Sequence, residues 1–190
     1  MKKINKKTII AISGVAGSGK GSVWKVLRNY PEKFAISTSY TTREPREGEV
    51  EGGEYHFISD QEFDLAVKNN EFLEWEQVHL DRYGTKRKDF EKLIYSGKNP
   101  VLEIDVKGVK NIRKRYNNIF TVFITAPSLK VAVSRLKKRG TENEKSLNKR
   151  ISRYNLEMKY AKDYDSIIVN DDLERARKEL IEILKMNINR

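Results

Sequence analysis

The chain of 190 residues contains no cysteine and only two histidines. The first absence excludes disulfides, cysteine-ligated zinc and thiol nucleophiles, and leaves the compartment open. His56 and His79 stand far from each other and outside any metal-ligand spacing, so both read as structural or surface residues. No apolar run is long enough to span a bilayer. The segment Met1–Lys7 is basic, but the apolar run behind it is too short for a signal peptide, and a cytoplasmic protein without membrane partners is expected. Internal repeats and low-complexity linkers are missing, which fits one domain with room for inserted subdomains. Lysine and arginine never form a long block interleaved with aromatics, which argues against a nucleic-acid partner. Nothing in the residues sets an oligomeric state.

What the chain does have is charge. Charged residues make up 34% and apolar ones 38%, and the formal net charge is +11. That excess suits anionic ligands, nucleotides among them, and suits equally a solvated lysine-rich surface. The most informative segment is Gly14-Val15-Ala16-Gly17-Ser18-Gly19-Lys20, which has the G-x-x-x-x-G-K spacing of a phosphate-binding loop. The preceding Thr8–Ile12 is apolar and β-branched, as a buried parallel strand should be. After the loop, Val23, Val26 and Leu27 keep to one helix face. Glycines let successive backbone N–H groups turn toward phosphate oxygens, and Lys20 adds a movable charge. Gly21 stands where a serine or threonine commonly offers Mg²⁺ a hydroxyl. Ser22, one residue on, points elsewhere around the helix and is placed to meet the α-phosphate. Mg²⁺ is then expected to be held by nucleotide oxygens and water, in the neighbourhood of Asp105.

Strands and helices alternate, which predicts an α/β fold with a parallel sheet. Further strands are expected at Phe34–Ser39, Val101–Asp105, Ile119–Thr125 and Ser166–Val169. Helices are expected at Val106–Arg115, Leu129–Lys138 and Leu173–Leu184, with Ser128 and either Asp171 or Asp172 as N-caps. From Tyr40 to Arg87 the alternation breaks. Tyr55–Ile58, Phe72–Val78 and Tyr83–Thr85 read as short antiparallel strands, and Ser59-Asp60-Gln61-Glu62 as a capping box opening a helix. A second capping box, Thr141-Glu142-Asn143-Glu144, follows the Lys/Arg cluster Arg135–Arg139 and opens a helix carrying Arg150 and Arg153. Arg43 and Arg46 flank a proline turn. They could grip a phosphate with their planar forks or pair with neighbouring glutamates. Tyr55 and Tyr83 could add hydroxyl donors.

The chain resembles guanylate kinases nearly end to end. The carrying segments are Gly14–Ser22, Thr41–Glu49 with Tyr55, Asn69–Trp75, Tyr83-Gly84-Thr85, Glu103-Ile104-Asp105, Arg139–Glu142 and Ile168–Asp172. The resemblance implies a three-layer P-loop kinase fold with a parallel central sheet, residues 1–39 and 88–190 forming the core. It implies an inserted mixed or antiparallel GMP-binding subdomain at 40–87 and a helical lid at 136–152. It implies transfer of the ATP γ-phosphoryl group to GMP, and to dGMP, with Mg²⁺. By the same resemblance Arg43, Arg46, Tyr55 and Tyr83 would hold the GMP phosphate. Ser39, Glu74, Thr85 and Glu103 would read the base. Arg135, Arg139 and Arg150, with Lys20 and Arg43, would surround the transferring group, and Asn170 would lie against the adenine of ATP. Val15-Ala16 replaces a frequent Pro-Ser, Thr85 a frequent Ser, and Glu103 a frequent Asp, and none of these removes a chemical role. The rival readings are a P-loop kinase acting on a phosphorylated sugar, and a scaffold domain of the same fold that binds phosphopeptides without catalysis.

Overall fold

In the computed structural model, residues 7–46, 48–53, 55–78, 81–138 and 144–188 are described. The first strand, β1 (Ile9–Gly14), is apolar at successive positions because both its faces are covered. It lies in the middle of a five-stranded parallel sheet. The other strands are β2 (Phe34–Ile36), β7 (Asn99–Glu103), β8 (Ile119–Thr125) and β9 (Ser166–Val169), in the spatial order β2-β7-β1-β8-β9. Parallel neighbours need long crossovers, which the helices supply.

The two faces of β1 feed separate cores, as a period of two requires. Ile10 and Ile12 pack with Val122, Ile124 and Ile168 against α1 (Lys20–Trp24) and α7 (Leu173–Asn187). In α7 the stripe Ala176, Leu180, Leu184 is fully buried at four-residue steps. Ile9 and Ala11 pack on the other face with Leu102 and Ile104 against α3 (Arg87–Ile94) and α4 (Val106–Arg113). Beside them Phe123 meets Ala132 of α5 (Leu129–Lys138) and Tyr154 of α6 (Glu144–Tyr160). This is a helix–sheet–helix layering.

A second sheet, ordered β4-β3-β6-β5, is built from β3 (Ser39–Thr41), β4 (Tyr55–Phe57), β5 (Phe72–Val78) and β6 (Asp81–Lys86). Its small core is Phe63 and Ala66 of α2 (Asp60–Lys68), packed with Phe72. The Phe63 and Phe72 rings stack 4.4 Å apart.

Several expectations need correction. The single strand Phe34–Ser39 is two strands: β2 pairs with β7, while β3 begins at Ser39 and joins the second sheet. β4 pairs with β3 in parallel rather than antiparallel; β5–β6 and β3–β6 are antiparallel. The helix after the phosphate loop is α-helical only to Trp24 and continues as a 3₁₀ segment, Lys25–Asn29. The capping box at Ser59 forms as read, with reciprocal bonds to Glu62. Asp172, not Asp171, caps α7 by accepting from Arg175 N at 2.8 Å. The second box, opening at Thr141, lies outside the described residues.

Candidate active site

The phosphate loop leaves the C-terminal end of β1 between neighbours β7 and β8, where open parallel sheets bind ligands. Its conformation depends on glycine. Gly17 has φ of +79°, and a Cβ there would come within 2.4 Å of the Ala132 carbonyl oxygen. The loop is held from outside by the Ser18 carbonyl, which accepts from Asn170 Nδ2 at 2.7 Å and Arg135 Nη1 at 3.4 Å. Asn170 is almost fully buried, and the structure puts it against the loop backbone. Neither Asn170 nor Arg135 lines the adjoining cavity. Arg139 lies outside the described residues, and Arg150 belongs to α6 with its side chain outside them.

A cavity of about 430 Å³ opens between the loop and the second sheet, walled by every residue from Gly14 to Ser22. On its floor Lys20 Nζ bonds Glu103 Oε1 at 2.6 Å. The other oxygen, Oε2, accepts from the indole Nε1 of Trp24 at 2.5 Å. Burial alone would push the Glu103 carboxyl up, but the Lys20 charge and these two hydrogen bonds outweigh it and hold it below the ordinary carboxylate value.

The opposite wall belongs to the second sheet and the chain leading into it. Ser39, Arg43, Arg46, Tyr55, Glu74 and Tyr83 all face the cavity. Arg43 is largely buried and donates from one nitrogen, Nη2, to both oxygens of Glu49 at 2.9 and 2.8 Å, while Nη1 donates to the Glu44 carbonyl at 2.6 Å. The Arg43 guanidinium lies 5.5 Å from the Tyr55 ring and 5.7 Å from the Phe57 ring. Of the two alternatives for Arg43, the structure shows the pairing with a glutamate, and the pair lies at the cavity wall. Tyr55 and Tyr83 meet edge to face at 5.7 Å. The Glu103 charge first, then burial, pushes the Tyr55 hydroxyl well above its ordinary value, so it stays a donor.

Glu74 sits at the deep end of this wall. Burial, reinforced by the charge of Asp105, pushes its carboxyl from 4.5 up to about 7. A Cβ on Gly108 of α4 would stand 3.0 Å from the Glu74 Oε2, close enough that the carboxylate would have to give by a few tenths of an ångström. Thr85, directly across from Glu74 in the β5–β6 register, is buried and does not itself line the cavity; its hydroxyl and backbone N–H bear on the Glu74 carboxylate and offset part of the burial.

Asp105 closes the remaining side. Its Oδ1 caps α4 by accepting from Gly108 N at 2.8 Å, and its Oδ2 lies 3.3 Å from Arg153 Nη2. Arg153 Nε bonds Glu157 at 3.1 Å. Burial raises the Glu157 carboxyl above its ordinary value. Sequence reasoning left Trp24, Glu49, Gly108, Arg153 and Glu157 out of the site. Trp24 reads as an ordinary apolar helix residue, Arg153 meets Asp105 only through packing between distant segments, and Glu49, Gly108 and Glu157 have near neighbours as partners but no local mark of the site.

Comparison with known proteins gives a consistent result. A family model described as guanylate kinase matches residues 5–187. A guanylate kinase of Rickettsia prowazekii is 39% identical over 184 residues, covering 97% of this chain and 93% of the relative. One from Onion yellows phytoplasma is 41% identical over 186 residues, covering 96% and 88%. The crystal structure of guanylate kinase from Anaplasma phagocytophilum superposes with a TM-score of 0.78 at 28% identity, covering 97% of this chain and 87% of that one.

Proposed function

The chain belongs to the guanylate kinase family, and from that premise we propose how its cavity carries the γ-phosphoryl group of ATP to GMP. The observation that carries the reading is one cavity with two walls of opposite competence. The phosphate loop with Lys20 forms one wall; Arg43, Arg46, Tyr55, Tyr83 and Glu74 form the other.

The loop wall takes the donor phosphates on its backbone N–H groups and Lys20. In the other wall Arg43 exchanges Glu49 for the acceptor phosphate, aided by Arg46 and the two tyrosine hydroxyls. Glu74 in its ionised form accepts from guanine N1–H and the N2 amino group, while Ser39, which lines the cavity, donates to O6 and Thr85 acts through the Glu74 carboxylate beside it. Adenine would present an acceptor at N1 to the same carboxylate, a mismatch that discriminates strongly. Arg135 steadies the loop through Ser18, and Arg139 and Arg150 complete the charge around the transferring group. Asn170 acts through the loop backbone it bonds. No general base is required, because the attacking phosphate oxygen is already anionic. The protein aligns two phosphates, neutralises charge and keeps water out.

The donor set suits Mg²⁺ held mainly through ATP oxygens and water. Asp105 is engaged with Gly108 and Arg153, Glu103 with Lys20 and Trp24, and no group of three or more acidic, histidine or cysteine residues among those described could cage an ion. Such an ion supplies charge neutralisation on the phosphoryl oxygens. A phosphopeptide scaffold would need the acceptor wall but not the built phosphate loop and its lysine.

Lys20→Ala tests the division of labour. It should bind GMP near wild-type affinity in a calorimetric titration and lose nearly all turnover, because the lysine acts on charge that peaks in the transition state. Wild-type-like turnover would refute the assignment.

A further inference from the structure

Lys20 and Trp24 stand four residues apart in α1 and share one face of it, and Arg28, in the 3₁₀ segment that follows, reaches back over the Trp24 ring. Each reaches a different part of the molecule. Lys20 and Trp24 take the two oxygens of Glu103, at 2.6 and 2.5 Å. The Arg28 guanidinium stands 5.4 Å over the Trp24 ring, and its Nη2 donates to the Gly53 carbonyl at 2.6 Å, in the loop that precedes β4. Trp24 itself is buried at the cavity edge. An indole N–H can only donate, so its presence commits one carboxylate oxygen and leaves the other to the lysine.

We propose that Trp24 is a positioning residue: its N–H fixes Glu103 in the orientation that faces Lys20, and its ring carries Arg28 to the insert loop, so that the phosphate loop and the acceptor wall are set as one unit. The inference rests on the reading in which Lys20 serves the donor phosphates and Glu103, facing the same cavity, reads the guanine base. It asks for no contact between Trp24 and either substrate.

A double-mutant cycle separates this from plain packing. Trp24→Phe keeps an aromatic ring under Arg28 and removes the N–H together with part of the indole's volume, and the cycle with Glu103 separates the two effects. Losing a hydrogen bond to a charged group should lower kcat/KM for GMP by about tenfold, carried mostly by KM for GMP, with KM for ATP changed less than about twofold. In a Glu103→Ala background the same substitution should cost less than about twofold more, because the residue it acts through is gone. Effects that multiply, or a silent Trp24→Phe beside an impaired Glu103→Ala, would overturn the proposal. A silent Glu103→Ala would instead overturn the assignment on which it rests. The chain has two tryptophans, and Trp75 is exposed on β5. In a Trp75→Phe protein the emission of Trp24 should therefore shift on titration with GMP alone. Emission that ignores GMP would contradict the coupling even if Trp24→Phe fails to fold.

Discussion

Replacing Glu74 by glutamine should stabilise the protein and impair it at once, and both effects should depend on pH. The carboxyl titrates at about 7 instead of 4.5 because it is buried near Asp105. In the unfolded chain it ionises from about pH 4.5 upward. Below that pH neither state carries the charge and the group costs nothing. Between 4.5 and 7 the folded state holds a proton that the unfolded state has lost, and stability falls as pH rises. Above 7 the full penalty is present, about 3 kcal/mol from the displacement of the pKa. A neutral amide never incurs it. For a domain of this size, 1 kcal/mol moves the melting temperature by about 2–4 °C, so Glu74→Gln should melt several degrees, up to about 10 °C, higher than wild type at pH 8. The gap should shrink toward pH 5. Kinetically the order reverses. The amide accepts only one of guanine's two donors well, so KM for GMP rises and the preference over AMP falls. Wild type should itself lose affinity for GMP on acidification, by roughly tenfold at one pH unit below the Glu74 pKa, and the mutant should lack that limb. The GMP phosphate also titrates in this range, but equally for both proteins, so the difference between them isolates Glu74. Thermal melts and steady-state kinetics at pH 5.5, 7 and 8 supply the test. A stability gap independent of pH, or an unchanged kcat/KM for GMP in the mutant, would refute the reasoning.

Other substitutions probe the same walls. Arg43→Lys keeps the charge but loses the planar fork, so kcat/KM for GMP should fall by about tenfold or more while KM for ATP holds. Because the site is desolvated, the loss should persist between low and moderate salt; a silent substitution at both would mean that Arg43 does not hold the acceptor phosphate. Gly108→Ala places a Cβ 3.0 Å from Glu74 Oε2, and should raise KM for GMP with little change in kcat or in KM for ATP. An unaltered KM for GMP would show that the carboxylate does not need that place.

The parts of the fold that could be read from the sequence are those with a clear apolar pattern. Ile119–Thr125, Ser166–Val169 and Leu129–Lys138 have the bounds their apolar patterns predict. Leu173 starts its helix behind an aspartate cap as read, and the helix runs on to Asn187. What escaped the sequence depends on tertiary context. Phe34–Ser39 carries no mark of where the chain leaves one sheet for another, and the break falls at Ser37 and Thr38. The helix Arg87–Ile94 buries only Phe90 and Ile94 among charges, too thin a stripe to be recognised. In the site, the phosphate loop and the acceptor wall come from local motifs and the resemblance they carry. The Trp24–Glu103 and Asp105–Arg153 bonds join residues that no local spacing relates, and Arg153–Glu157, one helical turn apart, carries no mark of the site it belongs to. Glu49 lies inside a motif segment, yet its pairing with Arg43 emerges only from the geometry.

The central claim is that one cavity reads guanine on one wall and holds ATP on the other. It is tested most directly by ADP formation from ATP and Mg²⁺ with GMP, dGMP, AMP, UMP and CMP offered in turn to the purified protein. Rapid ADP release should depend on GMP, with AMP, UMP and CMP slower by orders of magnitude in kcat/KM. Equal turnover of AMP, or ADP release that ignores GMP, would contradict the account.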